Sequence, residues 1–286
     1  MSWDQLILND QSRRALEANQ RQPVQSLLLS GPVGVGLSTI ARTLGCVLAG
    51  MSQTIVIAPV QHDKQKTFNI NVDDIRSIVK ISRNRRTQKL VVVIDEADQM
   101  TNSTTEVFLK TLEEPGQNLF FILTSHRPTA LPMTIFSRVA HIEIMPAAIK
   151  FEDLTTNLRA RMPAQFRQPT AQKLAQIKFL AANLPAEATR LLTDEVYFRD
   201  QSRAFTMARE FFAGGADTRL DVIGQLSERD QATNLLNNLA KILLMTATQR
   251  SQSVSHDAEM IATTLDHLAM NANLKAQLLA LAVNFE

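Results

Sequence analysis

Two glycines and a pair of hydroxyls in the stretch Ser30–Thr39, SGPVGVGLST, have the types and spacing that hold phosphate. The phosphate loop reads G-x-x-x-x-G-K-S/T. Its glycines let backbone N–H groups face the anion, the next helix adds its positive N-terminus, the lysine adds a cation, and the hydroxyl binds magnesium. Gly31, Gly36 and Ser38 stand in place, with Thr39 the next residue and a further candidate, but Leu37 occupies the lysine position. A charge-assisted hydrogen bond contributes about 1.5–3 kcal/mol, and leucine supplies none. Phosphoryl transfer at such a loop depends on electrostatics. The expectation is therefore weak binding of ATP and magnesium at best, and very slow hydrolysis. A glycine-rich strand-to-helix turn kept for its tight backbone is the plainer reading, and both hold if the loop has lost its ligand.

Two further groups suit phosphate chemistry. VVVIDEAD is a run of apolar strand-formers ending in Asp95 and Glu96, the pattern in which an aspartate holds magnesium and a glutamate orients water. Alone it equally describes a buried strand ending in solvated acids; some fifty residues beyond a phosphate-loop pattern it carries more weight. In LPMTIFSRVAHIEI, Arg138 follows a short apolar helix and precedes a strand. It is either an exposed arginine favouring a helix C-terminus or an arginine finger reaching a phosphate on a neighbouring subunit.

These groups need a scaffold, and the hydrophobic pattern describes one. SLLLS, TIVIAP, KLVVVID, LFFILTS and VAHIEI read as strands, and helical spacing runs through STIARTLGCVLAG, NVDDIRSIVKIS and NSTTEVFLKTLEEP. Continuous β-branched runs mark strands covered on both faces, and alternation with helices implies a mostly parallel sheet. Ser103 and Glu106 have capping-box spacing at the start of the third helix. After Pro146 the strand signals fade: short helices broken at Pro163, Pro169 and Pro185, then an Ala-, Leu-, Asn- and Gln-rich helical region with turns at Gly214–Asp217 and Ser251–Asp257. The expected class is α/β plus all-α, in three parts: 1–146, 147–197 and 198–286.

The 286 residues are 45% hydrophobic and 20% charged, ordinary for a globular chain with a sizeable core. A net charge of +2 does not announce nucleic-acid binding. The basic run Arg83–Lys89 is either a local phosphate patch or a solvated loop. Cys46 is alone, which excludes an internal disulfide and any multi-cysteine zinc site. The histidines lack metal-ligand spacing. The start MSWDQLILND lacks the pattern of a signal peptide, and no apolar run reaches membrane-spanning length, so a cytoplasmic location is expected.

Taken together and in order, IDEADQMT, FLKTLEEP and LPMTIFSR resemble the clamp-loader branch of the AAA+ ATPases, most closely over residues 3–144. The resemblance implies a P-loop α/β domain, a small helical lid and a helical C-terminal collar. Leu37 resembles the delta-prime type of bacterial DNA polymerase III clamp-loader subunit, whose nucleotide site is often decayed, more than the gamma/tau motor type, which needs the lysine. By that likeness Ser137 and Arg138 form the Ser-Arg motif acting on a neighbour's ATP. His126 takes the sensor-1 place and Arg190, in ANLPAEATRLL, the sensor-2 place. Val139 replaces the family's cysteine after the arginine, Glu106 its usual asparagine, and the sensor-2 glycine is missing. Family members often carry a four-cysteine zinc module after the first helix; residues 51–70 have no cysteine, so no zinc is expected.

What the resemblance implies is a non-hydrolysing subunit of the DNA polymerase III clamp loader. Its implied partners are delta and gamma/tau subunits and, through the complex, the sliding clamp and primed DNA. Two alternatives stay open: an active gamma/tau-like ATPase tolerating Leu37, and an AAA+-derived regulator outside replication.

Overall fold

Where apolar residues run without interruption the chain forms strands, and each strand's burial follows its place in the sheet. The computed structural model describes residues 6–61, 68–82, 88–161, 166–246, 253–270 and 272–285. In chain order come α1 (Asp10–Arg21), β1 (Ser26–Ser30), α2 (Leu37–Ala49), β2 (Thr54–Ile57), the short pair β3 (Val60–Gln61) and β4 (Phe68–Asn69), and α3 (Val72–Ser82). Then follow β5 (Leu90–Ile94), α4 (Asn102–Glu113), β6 (Leu119–Ser125), α5 (Met133–Phe136), β7 (Ala140–Glu143) and α6 (Phe151–Arg161). The remainder is helical: α7 (Ala171–Ala181), α8 (Pro185–Thr193), α9 (Glu195–Ala213), α10 (Ala216–Gly224), α11 (Arg229–Thr246), α12 (Ser253–Ala269) and α13 (Leu274–Asn284).

The main sheet is parallel, in the order β2-β5-β6-β1-β7. Every residue of β1 and β5 is buried, whereas edge strand β7 exposes Ala140, His141 and Glu143. Alternate side chains feed two cores, as the two-residue period of a strand requires. Leu27, Leu29, Val91, Val93 and Ile122 pack with Leu16, Leu37, Ile40 and Leu44 from α1 and α2. Leu28, Val92, Ile94, Phe121 and Leu123 pack with Ile75, Phe108, Leu112 and Ile135 on the other face. Phe108 meets Phe121 edge-on, ring centres 5.2 Å apart.

The chain divides into two units. One gathers residues up to Leu158 with Asn183–Thr189; the other holds Arg159–Ala182 and Arg190–Glu286. Residues 147–197, expected as a lid, are shared between them. The helical unit has its own core, built on Phe211, Leu235, Leu236, Leu239, Leu278 and Leu281. Arg219 lies over the rings of Phe211 and Phe285, and Arg229 donates to the carbonyls of Leu268 and Ala272, tying down the end of α12.

Two local expectations are corrected. Helix α4 is capped by Thr101, whose hydroxyl accepts from Thr104 N–H at 3.2 Å, not by Ser103, which lies inside the first turn; Glu106 is exposed on the helix. Thr101→Ala should therefore cost about 1 kcal/mol in urea unfolding and Ser103→Ala only a few tenths. Second, α12 begins at Ser253, so most of the turn expected over Ser251–Asp257 is helix. Arg83–Thr87, most of the basic run, and His62 lie outside the described residues. Among the described residues no helix is long and apolar enough to cross a membrane.

Candidate functional site

The carboxyl ends of β5, β6 and β1 bring the candidate residues together. The register pairs Ile94 with Leu123, Leu29 with Thr124 and Ser30 with Ser125. One step further, the loop after β1, Asp95–Glu96 after β5 and His126 after β6 share one rim, where open α/β sheets place ligands.

Gly31 leaves β1 under a tight roof: a β-carbon there would lie 2.5 Å from the Ile144 carbonyl oxygen. Gly34 and Gly36 sit at φ 89° and 98°, a region that side-chain-bearing residues adopt rarely. Gly36 is the N-cap of α2, with no side chain capping it. Leu37 opens the helix only 2% exposed and belongs to the core with Leu16, Leu27, Leu29 and Leu44. Ser38 is half-buried, and Thr39 is exposed, its carbonyl accepting from the Thr43 hydroxyl at 2.8 Å.

The acids are tied within the chain. The Thr124 hydroxyl donates to Asp95 Oδ1 at 2.7 Å and accepts the Glu96 N–H at 2.9 Å. Asp98, which the sequence reading left without a role, accepts from the Ser125 hydroxyl and from Nε and Nη2 of Arg127, at 2.8–3.2 Å. His126 Nδ1 lies 2.8 Å from the Gly31 carbonyl oxygen. A carbonyl only accepts, so Nδ1 carries the proton. His126 is thus engaged with the loop itself.

Glu96 has φ 50° and a carboxyl held above the ordinary carboxylate range, first by desolvation, then by the Asp95 carboxylate. The folded state thus keeps a proton that the unfolded chain has released, so stability falls as pH rises from the ordinary value to the raised one. Glu96→Gln removes that loss. Its melting temperature, followed from about pH 4 to 8, should gain on the unaltered chain as pH rises.

Arg138 lies on the same unit, just past α5. Its Nη2 donates to Glu113 Oε1 at 2.9 Å, and its Nη1 to the Thr134 carbonyl at 2.9 Å and the Ser137 hydroxyl at 3.3 Å. The side chain is 38% exposed and that of Glu113 53%. The guanidinium is therefore oriented but accessible. Arg190, in the helical unit, stacks on Tyr197, its guanidinium carbon 3.8 Å from the ring centre.

The loop does not fit a magnesium–nucleotide. Leu37 brings no cation, one oxygen of Asp95 is taken by Thr124, and the Gly34 carbonyl accepts from Ala186 N–H at 2.9 Å and Glu187 N–H at 3.1 Å, from the first turn of α8. Sequence reasoning missed Thr124, Asp98, Glu113 and this first turn. The hydroxyls ending β6 and the paired acids of LEEP were visible, but their partners depend on strand order.

Comparison with known proteins matches residues 10–148 to a family described as DNA polymerase III, delta subunit. The chain is similar to the DNA polymerase III subunit tau of Bacillus subtilis, 28% identical over 137 residues, covering 42% of this chain and 24% of that protein. It is 30% identical over 134 residues to the subunit gamma of Buchnera aphidicola, covering 41% and 37%. It is 27% identical over 156 residues to the replication factor C small subunit 2 of Pyrobaculum islandicum, covering 51% and 46%. The chain thus spans less than half the length of each of these relatives. Among solved structures it resembles a DNA polymerase III gamma subunit-related protein of Thermotoga maritima, with a TM-score of 0.50, 19% identity and coverage of 96% and 98%. It also resembles the RuvB Holliday junction branch migration motor of Thermotoga maritima, with a TM-score of 0.51, 16% identity and coverage of 96% and 86%. At such identities the structural likeness carries the fold alone.

Proposed function

We propose that this chain, which over residues 10–148 matches a family described as DNA polymerase III, delta subunit, and is similar to tau and gamma subunits, works as a delta-prime-like clamp-loader subunit of the AAA+ type that hydrolyses no ATP and supplies Arg138 to the ATP of a neighbouring subunit. The observation that carries this reading is the contrast between two residues. Leu37, at the lysine place of the loop, is buried in the core, while Arg138 is half-exposed and held by an acid at the surface. A group that must reach across an interface needs access; a group that binds its own phosphate needs to face the loop.

On this reading Ser137 and Thr134 hold Arg138 at the surface through the hydroxyl and carbonyl it donates to. Residues 147–197 act as the lid and 198–286 as the collar. Support for the collar is apolar surface: α11 and α13 leave Leu244, Met245, Leu279 and Val283 exposed, area that assembly with delta and gamma/tau subunits would cover. The sliding clamp and primed DNA are then engaged through the complex. Reconstitution with delta and gamma/tau subunits tests the proposal. Stable assembly with ATPase activity that depends on this chain supports it. ATP turnover by the isolated chain, or failure to join the complex, overturns it.

A further inference from the structure

The missing lysine is only part of what separates this loop from a nucleotide site. The N2 and N3 amides of helix α8, Ala186 and Glu187, both donate to the Gly34 carbonyl, at 2.9 and 3.1 Å. Helix N-termini leave such amides without intrahelical partners, and a phosphate is one group that satisfies them. Here the loop's own backbone does so. The fit is close. A β-carbon on Gly34 would stand 3.0 Å from Glu187 Cβ and 3.4 Å from Leu184 Cβ, and one on Gly36 would stand 3.5 Å from Ala186 Cβ.

The segment is anchored on both sides of these bonds. Leu184 packs against the core that contains Leu37, and the Asn183 carbonyl accepts from Ala147 N–H at 3.3 Å. Asn183 has φ 61° and the preceding Ala182 φ 47°, left-handed conformations that persist where surrounding contacts hold them. Residues 183–189 thus belong to the same unit as the loop.

We propose that the first turn of α8 has taken the place of a nucleotide as the loop's partner, so that the loop is an internal joint closed to ATP whether or not a lysine is present. This rests on the reading that the chain has no ATPase of its own. It is tested on the isolated chain by binding alone, so its outcome is separate from any effect of Arg138 on a partner. The binding of ATP with magnesium is measured by calorimetry for four chains: unaltered, Leu37→Lys, Ala186→Trp and the double variant. Tryptophan at 186 wedges α8 away from Gly36. The double variant is expected to bind at least tenfold more tightly than either single one. Leu37→Lys binding as tightly as the double variant, or a double variant that keeps the far-ultraviolet circular dichroism and cooperative unfolding of the unaltered chain and does not bind, overturns the proposal. A second measurement needs no substitution: the amides of Ala186 and Glu187 should exchange with deuterium at least a hundredfold more slowly than in an unstructured peptide. Exchange at the peptide rate means that the contact is not populated and sinks the proposal as well.

Discussion

Replacing Arg138 by alanine is expected to lower the ATPase rate of an assembled clamp-loader complex by about 10³-fold or more at the site this chain adjoins, within the 10³–10⁵ that an arginine finger contributes to kcat. The resting geometry permits this role. Arg138 pairs with Glu113 where both side chains are substantially exposed, and exposed pairs contribute only about 0–1 kcal/mol. A polyphosphate offers stronger, charge-assisted bonds, so the arginine leaves Glu113 at little cost. Glu113→Gln should therefore leave the rate within about threefold of the unaltered complex. Arg138→Lys should remain strongly impaired, since an ammonium does not reproduce the planar fork. Steady-state turnover of the reconstituted complex, with assembly checked by gel filtration, reads all three. An Arg138→Ala complex that assembles and turns over ATP at the unaltered rate rules out the role.

The second large effect concerns stability. Leu37→Ala is expected to destabilise the α/β unit by about 2–5 kcal/mol, the range for truncating a buried leucine. The side chain is 2% exposed and packs with Leu16, Leu27, Leu29, Ile40 and Leu44. Leu37→Met, similar in volume, should cost under about 1.5 kcal/mol. Were Leu37 an exposed loop residue, both changes would fall within about 0.5 kcal/mol. Urea unfolding followed by far-ultraviolet circular dichroism separates the two cases.

How much of this was legible beforehand varies with the range of the interaction. LVVVI and LLL declared buried strands because a sheet covered on both faces leaves no polar position, and both are fully buried in β5 and β1. The gathering of the loop, Asp95 and His126 at one rim followed from parallel strands, since each must end at the same side of the sheet. Short-range competition was harder to read. Thr101, Ser103 and Thr104 all carry hydroxyls that could cap α4; the Thr101 hydroxyl takes the Thr104 N–H, while the Thr104 hydroxyl donates to the carbonyl of Ile70, a residue far away in sequence. The partners of Asp98, Arg138 and Gly34 were not readable, because Arg127, Glu113 and Ala186 reach them only through tertiary placement. Charge and spacing nominate a group for chemistry; whether it is free depends on neighbours that spacing does not name.

The Ile144 carbonyl above Gly31 bears on how such a spelling would outlast its use on the proposed reading. A β-carbon at Gly31 collides with backbone, which cannot swing aside as a side chain would. At position 37 any apolar side chain that fills the core is accommodated. Release from selection on phosphate would thus let the lysine drift first, while the glycine stayed put for architectural reasons. A motif search scoring glycines and lysine alike would then mistake a packing requirement for a surviving ligand. In this chain the space around Gly31 accounts for the glycine and the core accounts for Leu37, with no phosphate needed to explain either.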